Sequence, residues 1–493
     1  MNSYADSHSR VRLDVTAAGV ALSAVALTLP FLDVAAFGGS AYVKPLALLI
    51  GIAAISFRFV TAPATIVFAR DPITLYAMMF WSWALVGSAI MPWLIGVPLE
   101  MKGIHLGTRI ARDLAALTGG LIFWLYVRVE LRNQTTIFRV TRLMLLSFWI
   151  VLPFCIVQTL VILFNSDALR ALDSALSIFG APRGTGYGKI FGLAPEGSML
   201  ADQLITMYIP FLLASMVTNV PVLSPFAKRP RGEWAMLALA IIALVFTLSR
   251  IGFIALIAVV FCAYVLAPKV RNSQRKSLPL SGIVVIAAVF VAVLVFAGSK
   301  LSGFLSSFAG VDASIDGGIW SNVTRAGSMV AGLTMFLHHP LGVGTGAFPF
   351  LFEKYVPDWA LLSPEVPALI GNDYNNLYAL GVDGGDIATR LPDAKALPIR
   401  VLAEMGIPGV ILLTLGWIYQ VRSCWQVAKL PDTPMEQTVA FGCVLSLLVM
   451  VPLAFDVNSY IWVHWLFISA IAASLVHLRR RRRSVAYNSA QRT

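Results

Sequence analysis

Apolar runs long enough to cross a bilayer recur along nearly the whole chain, and no other feature limits the fold so tightly. A helix rises 1.5 Å per residue, so roughly 20 apolar residues cover about 30 Å of hydrocarbon. About twelve such runs are read, near residues 14–35, 43–66, 72–95, 111–128, 143–165, 201–222, 234–249, 251–268, 279–297, 398–420, 437–456 and 460–478. With 58% of its 493 residues hydrophobic and 13% charged, the chain has no stretch left for a separate soluble domain. The expected class is all-α: a polytopic membrane protein of about twelve transmembrane helices with a long, partly helical periplasmic loop.

Charge gives an orientation. With the N-terminus in the cytoplasm, the dense basic clusters fall on one side: Arg58 and Arg70, Arg128 to Arg142, Lys228 to Arg231, Lys269 to Lys276, Arg422 and Lys429, and the run Arg479 to Arg483. Cytoplasmic loops carry such an excess of Lys and Arg. The net charge of +12 is therefore read as topology and not as a nucleic-acid surface. Arg10 and Arg12 ahead of the first apolar run imitate a signal peptide, but the run is long and others follow, so a retained first helix is expected. Cys155, Cys262, Cys424 and Cys443 lie in or beside apolar runs without metal-ligand or redox spacing and are read as core or lipid-facing residues.

This orientation divides the chain into helices one to nine (1–297, with a periplasmic segment near 166–200), a periplasmic loop (298–397), helices ten to twelve (398–478) and a basic cytoplasmic tail (479–493). The loop holds nine acidic residues against five Lys or Arg, with an amphipathic helix expected around Trp320 to Leu337. A connection of about 100 residues is too long to be a mere link and marks a functional element. No internal repeat or low-complexity segment is seen.

Arg250 closes the run FTLSR at a tight junction between two expected spans, a place where an arginine usually faces a polar cavity or a partner. Arg325 sits on the expected loop helix. It is followed by HHPLGVGTGAF, with His338, His339 and the alternating Gly342, Gly344 and Gly346, a backbone able to approach a ligand closely. No strand–turn–helix context makes this a dinucleotide site. NDYNNLYAL brings Asp373, Asn375 and Asn376, and IRVLAEMGIPG brings Arg400 and, four residues on, Glu404 at the start of a span. The two could pair structurally or serve the site. RGTGYGKIFGLAPEGSMLAD places Arg183, Lys189, Glu196, Ser198 and Asp202 at the entry to another span, a mixture that could bind sugar or phosphate or simply cap the helix.

In this order and topology, TLSR at a helix junction, the loop arginine, HHPLGVGTGAF, NNLYAL and AEMGIPG resemble the O-antigen ligase and polymerase superfamily over roughly residues 180–420. The resemblance implies a metal-independent, cofactor-free, inverting membrane glycosyltransferase with an undecaprenyl-pyrophosphate-linked glycan donor. It implies a bacterial inner-membrane location with both termini cytoplasmic and the active site facing the periplasm. On it, Arg250, Arg325, Asn375, Asn376 and Glu404 are the candidate catalytic residues, and Arg183, Glu196, His338, His339, Gly344, Asp373 and Arg400 the candidate substrate-binding ones. The guanidinium groups of Arg250 and Arg325 suit pyrophosphate oxygens physically, through paired, charge-assisted hydrogen bonds. One departure stands out: the family's histidine before the asparagine is Asn375 here, which cannot take a proton near neutral pH. Asp373, Glu404, His338 or the pyrophosphate itself are the alternatives for that role.

GLAPEGS is similar to a stretch in exopolysaccharide polymerases, so block-wise polymerisation of lipid-linked repeat units is the preferred reading. The acceptor would be a second glycan, and a chain-length regulator is a candidate partner beside the lipid bilayer. The alternatives are a ligase that moves glycan to lipid A core or another acceptor, and a transporter or flippase of lipid-linked oligosaccharide. Against transport stand the lack of visible repeat halves and the long external loop that holds the polar motifs.

Overall fold

The computed structural model describes residues 18–27, 45–61, 71–164, 166–176, 189–194, 196–224, 229–270, 317–362, 365–370, 391–457, 460 and 462–490. Its first half comprises a short helix at 18–26 (α1), α2 (Pro45–Thr61), α3 (Pro72–Leu94), a two-residue hairpin (β1, Glu100–Met101; β2, Ile104–His105), α4 (Leu106–Glu130), α5 (Gln134–Leu146), α6 (Phe148–Phe164) and α7 (Asp167–Leu176). Then come α8 (Gly197–Gln203), a π turn at Leu204–Tyr208, α9 (Ile209–Thr218), α10 (Arg231–Phe246) and α11 (Arg250–Val270). The second half comprises α12 (Gly317–His338), α13 (Phe348–Tyr355), a 3-10 turn at Asp358–Leu362, α14 (Glu365–Ile370), α15 (Leu397–Lys429), α16 (Pro434–Leu453) and α17 (Val463–Ala490).

Local chemistry sets several of these starts. Asp71, Asn133 and Thr433 each accept a backbone amide of the first turn behind them, from Thr74 (3.0 Å), Thr136 (2.7 Å) and Glu436 (3.2 Å). At α16 the cap is reciprocal, because the Glu436 carboxylate accepts the Asp432 amide at 3.0 Å. Among the described residues, seven helical stretches are long and apolar enough to cross a membrane. They are α3, α4, α5 with α6, α8 through α9, α11, α15 and α16; α2 is apolar but shorter. The stretch Gly197–Thr218 is buried apart from Ser198, which is partly buried, with α10, α11 and α16 packed on it.

The expected span near 143–165 begins earlier, at Gln134, with Ser147 interrupting the helix. The expected loop helix is α12, which reaches from Gly317 to His338. The arginine run 479–483 continues α17 as helix, and Arg482 pairs with Asp432 and Glu436, both at 2.8 Å. The expected span near 279–297 lies outside the described residues, as does most of the one near 14–35.

The bundle has two chemically distinct ends. One gathers the start of α3, the end of α4, the α15–α16 turn and the arginines of α17. There Arg58 is ion-paired with Glu130, and Arg128 with Asp71 at 2.5 Å. The other gathers the end of α3, the start of α4, the start of α15 and the turn after α16. α12 and α13 pack there around a second apolar core that includes Ala331, Met335, Phe348, Phe352, Ile399 and Ala403. The long connection thus carries its own core and seats it on the head of α15.

Candidate functional site

A break in α15 organises this end. Pro408 has no amide hydrogen to give the Glu404 carbonyl four residues back, and its ring crowds that oxygen. Gly406 takes a conformation closed to other residues without strain, φ 62° and ψ −160°. The groups released by the break are all satisfied from elsewhere. The Ala403 and Glu404 carbonyls accept the Val343 and Gly344 amides (both 2.9 Å), and the Ile407 amide donates to Pro340 (2.8 Å). The Met405 carbonyl accepts the Trp83 indole at 2.7 Å.

The alternating glycines are explained by close contacts with three helices. Gly342, Gly344 and Gly346 have φ of 89°, 95° and 84°. A Cβ on Gly342 would overlap the Glu404 carbonyl and lie 2.7 Å from the Gly406 nitrogen, and one on Gly344 would lie 2.8 Å from Pro92. Gly342 thus approaches the broken backbone of α15, Gly344 approaches α3, and a Cβ on Gly346 would lie 3.1 Å from the Arg109 carbonyl of α4.

Beneath this clamp lies a buried charge cluster. Arg400 donates to Asp113 of α4 at 2.5 Å and to Glu404 at 3.3 Å. Arg109, one turn before Asp113, stands 3.3 Å from the same carboxylate. Tyr460 donates its hydroxyl to Glu404 at 2.5 Å, and the Arg400 guanidinium lies over its ring, 4.4 Å from the centroid. The expected i,i+4 pairing of Arg400 with Glu404 is therefore present, with Glu404 only 2% exposed.

Arg325, on α12, forms an ion pair with Asp456, in the turn after α16. Its side chain is 43% exposed while that of Asp456 is 11% exposed, so the arginine keeps an open face. Arg250 is the first residue of α11. Leu248 enters the left-handed region (φ 51°) to make the tight junction, and the Ser249 hydroxyl accepts the Gly252 amide at 3.2 Å. The other motif packs onto this junction: the Ile190 amide donates to Phe246 (2.9 Å), and a Cβ on Gly197 would lie 2.8 Å from the Thr247 carbonyl. Glu196 is beside it, exposed and accepting the Ser198 hydroxyl at 3.1 Å.

Arg250 and Arg325 lie at the same end of the bundle. Gln437, in the first turn of α16, donates to the carbonyl of Val270, the last residue of α11, at 2.7 Å. The two helices run antiparallel and are 21 and 20 residues long, so Arg250 is level with the Asp456 end of α16. His338 and His339 close α12 against Tyr355, with His339 2.9 Å from its hydroxyl. Partial burial, with Lys354 and His338 close by, lowers the His339 pKa below its ordinary value. Arg183, Asp373, Asn375 and Asn376 lie outside the described residues.

A cavity of about 120 Å³, open on one side, lies below Tyr460 between α3, α4, α15 and α17. Its lining on α15 extends from Leu412 to Gln420, about 12 Å along the axis. Three indoles in its wall are engaged, Trp81 with Thr118 (2.9 Å), Trp124 with Ser469 (3.0 Å) and Trp417 with Leu447 (3.1 Å), while the buried Trp465 indole nitrogen has no partner among the described residues. What remains is an elongated apolar slot with a polar mouth.

Sequence reasoning did not single out Asp113, Asp456 or Tyr460. A signal existed for Asp113, since a carboxylate inside an expected span is a site candidate by default.

The described residues form a helical bundle that holds two arginines at one end, one of them on a helix of the long connection. Residues 235–379 match the family described as O-antigen ligase, which supports the resemblance of this part of the chain to the O-antigen ligase and polymerase superfamily. The match includes Arg250, Arg325 and the glycine loop; Asp113, Arg400, Glu404, Asp456 and Tyr460 lie outside it. No curated protein matches the chain.

Proposed function

We propose that this protein polymerises undecaprenyl-pyrophosphate-linked oligosaccharide repeat units on the periplasmic face of a bacterial inner membrane. The observation that carries the reading is the placement of Arg250 and Arg325 at one end of the bundle, with Arg325 half-exposed. In the reaction an acceptor hydroxyl attacks the anomeric carbon opposite its bond to the diphosphate. That bond breaks as the new glycosidic bond forms, and negative charge gathers on the departing oxygens. Two guanidinium groups fixed beside those oxygens stabilise the charge without reorganising during the step. Glu404, buried and held by Arg400 and Tyr460, is poorly placed to meet the acceptor, so the acceptor proton is released to solvent on the attacking face while the diphosphate leaves as an anion on the other. The packing of the GLAPEGS segment on the Arg250 junction favours polymerisation. The ligase description of the matched family favours the second reading, transfer to lipid A core or another acceptor.

A strain lacking the gene separates the two. Single repeat units on their normal acceptor, with the long ladder missing from the gel, are expected. Long polymer accumulating on undecaprenyl pyrophosphate, with none attached, would establish the ligase instead.

The apolar slot below Tyr460 is assigned to the donor's polyprenyl chain. Gly416 lines it, with room for a larger side chain apart from a contact of 3.2 Å with Tyr76. Gly416→Leu is expected to raise KM for the full-length donor about tenfold and to leave a donor with a two-isoprene tail unchanged. Equal effects on both donors would remove the chain from this slot.

A further inference from the structure

We infer that Asp113 is a positioning residue for glycosyl transfer, acting on Arg325 through Arg400, Glu404 and Tyr460. The inference rests on the reading of Arg325 as a diphosphate-binding residue and adds to it a part of α4, far outside the segment that matches the family.

The geometry is a chain of shared groups. The Asp113 carboxylate serves two arginines, Arg109 and Arg400. Arg400 divides its donors between Asp113 and Glu404, and a single oxygen of Glu404, Oε2, accepts from both Arg400 and Tyr460. Tyr460 ends a short segment that is also tied to α15 at its beginning, where the Leu397 amide donates to the Ala454 carbonyl at 2.9 Å. Asp456, the partner of Arg325, stands between these two ties. The Asp456 amide donates to the Leu453 carbonyl at 2.9 Å, in the same turn whose Ala454 carbonyl accepts the Leu397 amide, so the direction in which Asp456 presents its carboxylate follows where the head of α15, and with it Arg400, is held.

A buried ion cluster is not needed for stability alone, because well-packed apolar side chains of similar volume commonly do as well. What the cluster supplies is direction. Arg400 must satisfy two carboxylates from one planar group while its guanidinium stays over the Tyr460 ring, which leaves little freedom to any member. An error of about 1 Å at a distant support can cost on the order of 10²-fold in turnover.

The test uses the full-length protein in lipid nanodiscs, with undecaprenyl-pyrophosphate-linked oligosaccharide extracted from the deletion strain as donor. Asp113→Asn is expected to lower kcat by about 10- to 100-fold with KM within about twofold, since the interaction lost is one made mainly in the transition state. Asp113→Glu is expected to restore much of the rate. Tyr460→Phe removes only the hydroxyl and is expected to lower kcat in the same way, which carries the test if Asp113→Asn does not accumulate. In an Arg325→Lys background neither substitution should lower kcat much further, because the residue they aim is already compromised. Losses by the same factor in both backgrounds, or wild-type kcat for both substitutions, would overturn the inference. Arg325→Lys at wild-type turnover would instead overturn the reading of Arg325 itself.

Discussion

Arg250→Ala and Arg325→Ala, made together, are expected to give a full-length, membrane-inserted protein that still retains lipid-linked donor through its apolar chain but forms no glycosidic bond. Removing a single fixed donor from a site of developing negative charge costs about 10²- to 10³-fold in rate. The pair should cost at least about 10³-fold, with each single substitution accounting for most of the loss if the two act as a unit. Neither side chain is part of the apolar core: Arg325 stands on a half-exposed face and Arg250 opens its helix. Folding should therefore survive, and the thermal midpoint in detergent should move by only a few degrees. Transfer measured by gel and by mass of the lipid-linked pool decides the matter. If long glycan still forms in the double variant, neither arginine does the chemistry assigned to it.

Gly342→Ala is expected to have the largest effect on the fold for a single methyl group. The new carbon would overlap the Glu404 carbonyl, lie 2.7 Å from the Gly406 nitrogen and impose φ 89° on a residue with a side chain. All the obstructing atoms are backbone, so no side chain can swing aside. The strained φ contributes about 1–3 kcal/mol, and losing the amide–carbonyl bonds that link the loop to α15 adds about 1 kcal/mol each. A drop in stability of roughly 3 kcal/mol or more is expected, read as a lowered unfolding midpoint together with loss of transfer. Gly87→Ala in α3 is the control, because nothing lies within 4 Å of its added carbon. Equal midpoints for the two variants would show that the clamp does not form as described.

The helices were largely legible in the sequence because crossing a membrane imposes a length, and composition reveals it directly. The expected span at 72–95 differs from α3 by a single residue at its end, and the helix expected from Trp320 to Leu337 lies within α12. The glycines of HHPLGVGTGAF and the AEMGIPG break were both visible as motifs, but their mutual contact was not. An amide bond between Gly344 and Glu404 depends on how a loop folds back, which local pattern does not encode. The side-chain pairings were hidden for a related reason. Asp113 and Arg400 are 287 residues apart, and Arg325 and Asp456 are 131 apart. Which faces of two helices meet is normally read from an apolar stripe, and spans such as α10 are apolar on nearly every side, so no stripe marks the contact.

The clamp between the glycine loop and α15 also sets an order of assembly. A growing chain emerges from its N-terminus, so residues 340–346 leave the ribosome before residues 403–407 have been made. Until α15 enters the membrane, the loop's amides have no carbonyls to bind, and the head of α15 has no partner for the groups that Pro408 and Gly406 release. Asp456 and Tyr460 arrive later still. Arg250 and Arg325 are thus made well before Asp456, and on the proposed function the site is complete only once α16 and the turn after it are in place.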